Sequence, residues 1–371
     1  MAEESYEFID NGVKMYLVLD KISERFSDPC VAVERHKQGS HHMTYIVTLE
    51  SGIKRLVRVS YPFLRDYGSG IVPPSKMKSE VATMKYVREH TRIPVPEVLH
   101  YDGDEDGSVG AEWMVLEFIN GLSLYHLWPD MSCDSRRAVA HSLANVFHQL
   151  LALRFNNIGS LQENEGGEIS VGPMTFMPSN NTHHTAPPDS TKCGPFVSIK
   201  QWILALATGD LDFETSDTDT SEGSERRAAV VQDIQATTVF DDESLQDFCA
   251  IALEHVDLKL NNILVDPNDH TAIVGVIDWE GARTVPLFAI QPRWYLGIQH
   301  ATSDEKNEMQ VYTRAAVRSL DPVWFAATDD QGRSLREVLH RAMYSRWDPV
   351  VFSFEGTDVY QRGIPPAGTD P

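Results

Sequence analysis

His255-Val256-Asp257-Leu258-Lys259-Leu260-Asn261-Asn262 runs into the apolar triplet Ile263-Leu264-Val265, and Val276-Ile277-Asp278-Trp279 follows after a polar turn. An Asp precedes an Asn within one polar turn, and a second Asp closes an apolar run. Phosphoryl transfer from ATP needs that inventory. One carboxylate orients the attacking hydroxyl, while an amide oxygen and a second carboxylate hold the magnesium that bridges the phosphates. The two apolar runs predict short strands joined by a hairpin around Pro267-Asn268-Asp269. Taken singly, an Asp and an Asn in a turn do no more than cap a helix or close the turn. The strands on either side and the terminal Asp-Trp-Glu make chance a poor explanation.

The stretch resembles the catalytic core of kinase-like folds. It looks most like the aminoglycoside phosphotransferase family, particularly its fungal members. Asp278-Trp279-Glu280-Gly281-Ala282 stands where protein kinases have Asp-Phe-Gly, and the Ile-Asp-Trp-Glu form is typical of small-molecule phosphotransferases. Lys259 occupies a position that Ser/Thr protein kinases share, so it does not discriminate. No Ala-Pro-Glu follows Asp278, which speaks against a protein-kinase activation segment.

The resemblance implies a bilobal, protein-kinase-like α+β fold with ATP and Mg2+ as cofactors. Residues 1–120 would form a small nucleotide-binding N-lobe, an antiparallel sheet plus one helix. Residues 121–352 would form a larger, mainly helical C-lobe carrying the catalytic and acceptor-binding groups, and 353–371 a tail. It also implies roles. Asp257 is the catalytic base, Lys259 adds charge at the transferring phosphoryl, and Asn262 and Asp278 hold the metal. Arg58 stands where the family usually has a phosphate-binding Lys, and Glu80 is its ion-pair partner. The Glu117 carbonyl and the Ile119 amide would read the adenine edge. Gly39, the only glycine between Gln38 and Thr44, belongs to the loop expected to cover the phosphates. His255 packs beneath the catalytic turn. The segment Pro286-Leu287-Phe288-Ala289 departs from the Asp-Leu-Ala of bacterial antibiotic kinases, which argues against an aminoglycoside as acceptor.

Other readings stay open for some of these groups. Lys259 can be a solvated turn lysine, Arg58 an exposed strand-end arginine, and Glu80 a solvated helix charge. The glycine-poor loop and Arg58 together also fit a pseudokinase that binds nucleotide or a partner without turnover. A small-molecule hydroxyl is the expected acceptor, of unspecified identity.

Patterning along the chain supports two lobes. Residues 1–40 carry a possible first helix, and Tyr45–Leu49 and Arg55–Val59 read as strands about a turn at Glu50-Ser51-Gly52. Met77, Val81, Met84 and Val87 give a helical face after Pro73-Pro74-Ser75. Ile93-Pro94-Val95-Pro96 forces extended chain before strands near 97–101 and 112–121. Val139, Leu143, Val146, Phe147, Leu150 and Leu151 form a core stripe. Residues 155–200 read as irregular, and relatives of the resembled family use this region to shape the acceptor pocket. Val197–Leu206 and Asp241–Leu253 read as helices flanking an acidic loop at about 208–227, expected to be disordered. Helices follow near 303–320 and 334–345, the second with a capping box at Ser334 and Glu337.

The net charge of −22 argues against a nucleic-acid partner, which needs clustered Lys and Arg. It would suit a cationic substrate. No apolar run approaches the roughly 20 residues that cross a bilayer, and the acidic start lacks the pattern of a secretory signal. Four scattered cysteines fit reduced thiols, and a cytoplasmic location is expected. The His41-His42 and His183-His184 pairs read as solvent-facing loop histidines.

Overall fold

The computed structural model describes residues 9–345, apart from 11, 40, 62–70, 72, 74, 105, 180, 182, 216–220 and 292–302. Strand alternation builds the first lobe. Five strands, β1 Cys30–Gln38, β2 His42–Leu49, β3 Lys54–Ser60, β4 Val98–Asp102 and β5 Trp113–Glu117, form one antiparallel sheet in the order β1-β2-β3-β5-β4. Successive side chains point to opposite faces. Met43, Tyr45, Val47, Val57 and Val59 therefore bury against Met15, Val18 and Ile22 of helix α1, Met15–Phe26, the possible first helix. Leu56 and Met114 lie on the opposite face, with Met77, Val81, Met84 and Val87 of helix α2, Lys76–His90. Arg58 has the parity of Leu56. The strand pattern alone thus aims its guanidinium at α2.

The turn at Glu50–Ile53 joins β2 to β3, with Gly52 at φ +83° donating its N–H to the Leu49 carbonyl at 2.8 Å. Strand β1 was not foreseen within residues 1–40. The phosphate-covering loop expected from Gln38 to Thr44 shrinks to residues 39–41, because pairing of Gln38 with Met43 and of Lys37 with Thr44 carries both flanks into strand.

Beyond β6, Leu122–Ser123, helix α3 (Cys133–Ala152) buries the expected stripe and is capped by the Ser132 hydroxyl, which accepts from the Ser135 N–H. The region read as irregular contains a hairpin, β7 Ser160–Glu163 with β8 Ile169–Gly172, packed against α2 and tied to it by Lys85 and Glu163 at 2.7 Å. A Cβ on Gly159 would stand 2.0 Å from the Gly172 carbonyl oxygen. Gly159→Ala should therefore lower stability by about 1–3 kcal/mol. A denaturant melt checks this, and an unchanged midpoint would show that the hairpin is free to shift.

Helices α4, Ile199–Thr208, and α5, Ser221–Ala236, bracket the acidic stretch. The expectation of disorder over 208–227 does not hold for its described residues. Gly209–Leu211 form a turn, Glu214 and Thr215 pair with Ala186 and His184, and Arg227 donates to the Thr208 carbonyl at 3.0 Å. Backbone pairing and one long cation supply what the missing apolar side chains could not. Residues 241–253 are not a helix either. Short 3-10 turns at Val239–Asp241 and Glu243–Cys249 lead into strand β9, Ile251–Glu254.

Strand β9 pairs with β12, Arg283–Pro286, while β10, Ile263–Val265, pairs with β11, Ile273–Val276, and with β6. Helices α6 Ser303–Leu320, α7 Pro322–Ala327 and α8 Arg333–Met343 close the lobe against α3 and α4. The capping box does not form: α8 starts two residues ahead of the helix that a Ser334 cap would open, with Gly332 before it and no side-chain cap. The chain is a bilobal α+β fold of the expected kind. The tail from 353 lies outside the described residues.

Candidate active site

Residues 255–262 connect β9 to β10, so two small sheets fix both ends of the loop. His255 is buried and makes two bonds that set its tautomer: Nδ1 accepts from the Asp257 N–H at 3.3 Å, leaving Nε2 to donate to the Ile277 carbonyl at 3.2 Å. Burial lowers its pKa, against the pull of Asp278 and Asp257. A neutral imidazole bracing the turn from below is the role expected of it. Its ring lies 4.5 Å from that of Trp279, centroid to centroid.

Asp257 is held by its neighbours. Asn262 Nδ2 donates to its carboxylate at 3.0 Å and to its backbone carbonyl at 2.9 Å, and Lys259 Nζ lies 2.7 Å from the same carboxylate oxygen. The Asn262 amide thereby commits its nitrogen and keeps its oxygen for another partner. Ile263 faces Val276 across the hairpin and the Ile277 N–H donates to the Asn262 carbonyl at 3.0 Å, which sets Asn262 beside Asp278. Asp278 takes a left-handed backbone, φ +67°, a conformation Asp tolerates better than most residues.

From the N-lobe, Arg58 forks between two carboxylates. Nη1 donates to Glu80 Oε1 and Nη2 reaches Asp278 Oδ1 at 3.1 Å. Burial works against its charge, yet Glu80, Asp278 and Glu280 outweigh burial and raise its pKa. Burial pushes the Glu80 carboxyl upward, and the Arg58 charge opposes that push. The solvated-charge readings of Arg58 and Glu80 fail, since side-chain exposure is 9% and 1%.

Sequence reasoning missed the rest of this cluster. His42 is no loop histidine: it sits on β2, buried, with Nδ1 3.0 Å from Arg58 Nη2 and Nε2 3.2 Å from Lys76 Nζ. Burial, reinforced by Arg58 and Lys76, holds its pKa well below the usual range, so the ring is neutral at physiological pH. Lys76 in turn lies 2.8 Å from Glu280 Oε1 and 3.6 Å from Glu112 Oε2. The placement of Lys76 one helical turn before Glu80 was the available signal. Among the second pair, His183 is exposed as expected, while His184 stacks on Phe213 with ring centroids 5.0 Å apart.

The remaining expected residues stand at the margins. Glu117 ends β5, its N–H bonded to the Glu97 carbonyl at 2.9 Å and its side chain to the Glu97 N–H at 3.2 Å. A Cβ on Gly275 of β11 would stand 3.1 Å from Ile119 Cδ1, which seats the chain between the lobes on the same hairpin that carries Asn262 and Asp278. The Gly39 N–H is already committed to the His42 carbonyl at 2.9 Å, so in this conformation it is not open to a phosphate.

Residues 32–289 match the profile of the phosphotransferase enzyme family. The chain belongs to that family. A subtelomeric hrmA-associated cluster protein of Aspergillus fumigatus is 23% identical over 340 residues, covering 76% of this chain and 64% of that protein. Altered inheritance of mitochondria protein 9 of Candida tropicalis, named mitochondrial, is 33% identical over 140 residues, 36% of this chain and 22% of that protein. The chain thus spans less than two thirds of the length of these relatives. Among solved structures, a thermostable mutant of aminoglycoside phosphotransferase APH(4)-Ia overlaps 88% of this chain and 98% of its own at 16% identity, with a TM-score of 0.43. At that TM-score the overlap says nothing of substrate. Among the described residues no helix is long and apolar enough to cross a membrane.

Proposed function

We propose that this chain transfers the γ-phosphate of ATP to a hydroxyl group of a small molecule. One observation carries the reading. The loop after β9 and the segment after β11 meet across a single hairpin: Asn262 holds Asp257, its backbone carbonyl accepts from Ile277 next to Asp278, and Arg58 of the other lobe reaches Asp278. Family membership supports it independently.

The donor set suits magnesium. Among the described residues no three His, Cys, Asp or Glu converge into a protein-only cage. Magnesium favours one or two protein oxygens plus substrate phosphates and water. The Asn262 amide oxygen and the Asp278 carboxylate, 33% exposed and with one oxygen turned to Arg58, fit that description. When bound, the metal would offset charge on the phosphates. Asp257 orients the acceptor hydroxyl and accepts its proton, while Lys259 holds the Asp257 carboxylate and brings positive charge to the phosphoryl being moved. Arg58, fixed by Glu80 and Asp278, would lend its charge to the phosphate end of the nucleotide. The Glu117 carbonyl and the Ile119 amide serve the base, and residues 1–120 and 121–352 divide the work as nucleotide and acceptor lobes.

An ATP-consumption screen against a metabolite extract, read by mass spectrometry for the gain of one phosphate, tests the proposal. No phosphorylated product from any fraction, with nucleotide nonetheless bound, would favour the pseudokinase reading that the glycine-poor turn keeps in play. Asp278→Ala should raise the magnesium needed for nucleotide binding by about tenfold or more. Unchanged magnesium-ATP affinity would remove Asp278 as ligand.

A further inference from the structure

The N-lobe grips the segment Asp278-Trp279-Glu280 at both ends. Arg58, which the sequence paired with Glu80, also reaches Asp278. The grip on Glu280 was not foreseen either. It comes chiefly from Lys76, the first residue of α2, whose side chain is 1% exposed and whose Nζ sits 2.8 Å from Oε1 of a Glu280 that is 2% exposed. The contact is an ion pair by distance rather than a hydrogen bond, and Arg58 Nη2 lies 3.8 Å from Oε2. Ser60 Oγ at 3.4 Å, His42 Nε2 at 3.2 Å and Glu112 Oε2 at 3.6 Å complete the shell around the ammonium.

Burying a lysine and a glutamate costs several kcal/mol per ion before their attraction is counted, and an apolar pair of similar volume is often as stable. Core packing alone therefore gives no reason for a charged pair here. The backbone between the two gripped carboxylates does. Asp278, at φ +67°, leads into a tight turn closed by the Ala282 N–H on the Trp279 carbonyl at 3.1 Å, in which Gly281 is also left-handed at φ +73°. A non-glycine residue in that region is strained and persists only where its surroundings over-determine it. Trp279 is wholly buried and its indole N–H is bonded to the Val276 carbonyl at 3.0 Å, which pins the middle of the turn. Lys76 pins its far end from the other lobe.

We infer that Lys76, acting through Glu280, is a positioning residue that holds the Asp278 carboxylate in its metal-binding orientation. Together with Arg58 it forms a two-cation clamp joining α2 and β3 to the turn after β11. This rests on Asp278 being a metal ligand, as proposed above. The inference also assigns Glu280: its charge answers Lys76 rather than the metal.

The test compares Lys76→Met, Lys76→Arg, Glu280→Gln and the double variant Lys76→Met/Glu280→Gln with the wild type and with Asp278→Asn. Binding of a fluorescent ATP analogue is titrated with magnesium. Lys76→Met and Glu280→Gln should each raise the half-saturating magnesium concentration by about tenfold, as removal of outer-shell partners does. Lys76→Arg, which keeps the charge, should fall closer to wild type than to Lys76→Met. In the metal-free protein, amide exchange across residues 277–282 should quicken by about tenfold in Lys76→Met, because the turn opens locally more often. Should the single variants not fold, the double variant removes both buried charges together, and it is expected to fold and to keep the magnesium defect. A folded Lys76→Met or double variant with wild-type magnesium dependence and wild-type exchange overturns the inference. If Asp278→Asn also leaves magnesium dependence unchanged, the metal assignment itself has failed, and quickened exchange in Lys76→Met would still stand for the clamp.

Discussion

Asp257→Ala should lower turnover by about 100- to 10,000-fold, the range expected for loss of a positioned proton acceptor, while nucleotide binding stays close to wild type. The side chain faces Lys259 and Asn262 and makes no contact with the Arg58 group, so its removal leaves the N-lobe clamp in place. The loop should keep its shape as well. Asn262 Nδ2 still has the residue 257 carbonyl at 2.9 Å, and His255 still accepts from the residue 257 N–H. Steady-state kinetics alongside nucleotide affinity would separate the two effects. Retained turnover would strip Asp257 of its assigned role. A parallel loss of nucleotide affinity would instead point to a collapsed loop.

Arg58→Met should cost about 3–5 kcal/mol of stability, the usual result of stranding a buried charge. The guanidinium lies among Glu80, Asp278 and Glu280, two of them at most 2% exposed. Among the described residues Glu80 Oε2 has no hydrogen-bond partner even with Arg58 present, so without it the carboxyl must take up a proton or drag α2 outward. Arg58→Lys keeps the charge but loses the fork, since an ammonium cannot span Glu80 and Asp278 as a planar guanidinium does. It should melt between wild type and Arg58→Met. Chemical denaturation read by Trp fluorescence decides the matter. An Arg58→Met variant within about 0.5 kcal/mol of wild type, the range of an ordinary surface change, would show the cluster to be energetically idle.

What the sequence disclosed follows the range of each interaction. Arg58 and Glu80 were reached through the family resemblance, and strand parity and helical spacing explain why they meet: each aims one side chain at the other. Asp257 and Asn262 share one turn, and Asp278 closes the next strand. His42 was misread because a His-His dipeptide beside a glycine looks like loop, whereas the pairing of β1 with β2 draws it into the sheet. Lys76 stands one helical turn before Glu80, which ties it to the cluster, but Glu280 is far from it in sequence and nothing local announces that pair. The acidic stretch was misjudged for a different reason. Composition reports how little apolar surface a segment can bury, but not that Glu214 and Thr215 find a strand partner at residues 184–186. The unformed capping box shows the converse error, a local signal overruled by a turn that ends at Gly332, two residues before Ser334.

The Arg58 contact with Glu80 and Asp278 stands complete in the chain by itself. Protein kinases commonly make the equivalent alignment conditional on phosphorylation of a loop. On the proposed reading, that alignment would need no such modification here, since the three side chains already meet in the unmodified chain.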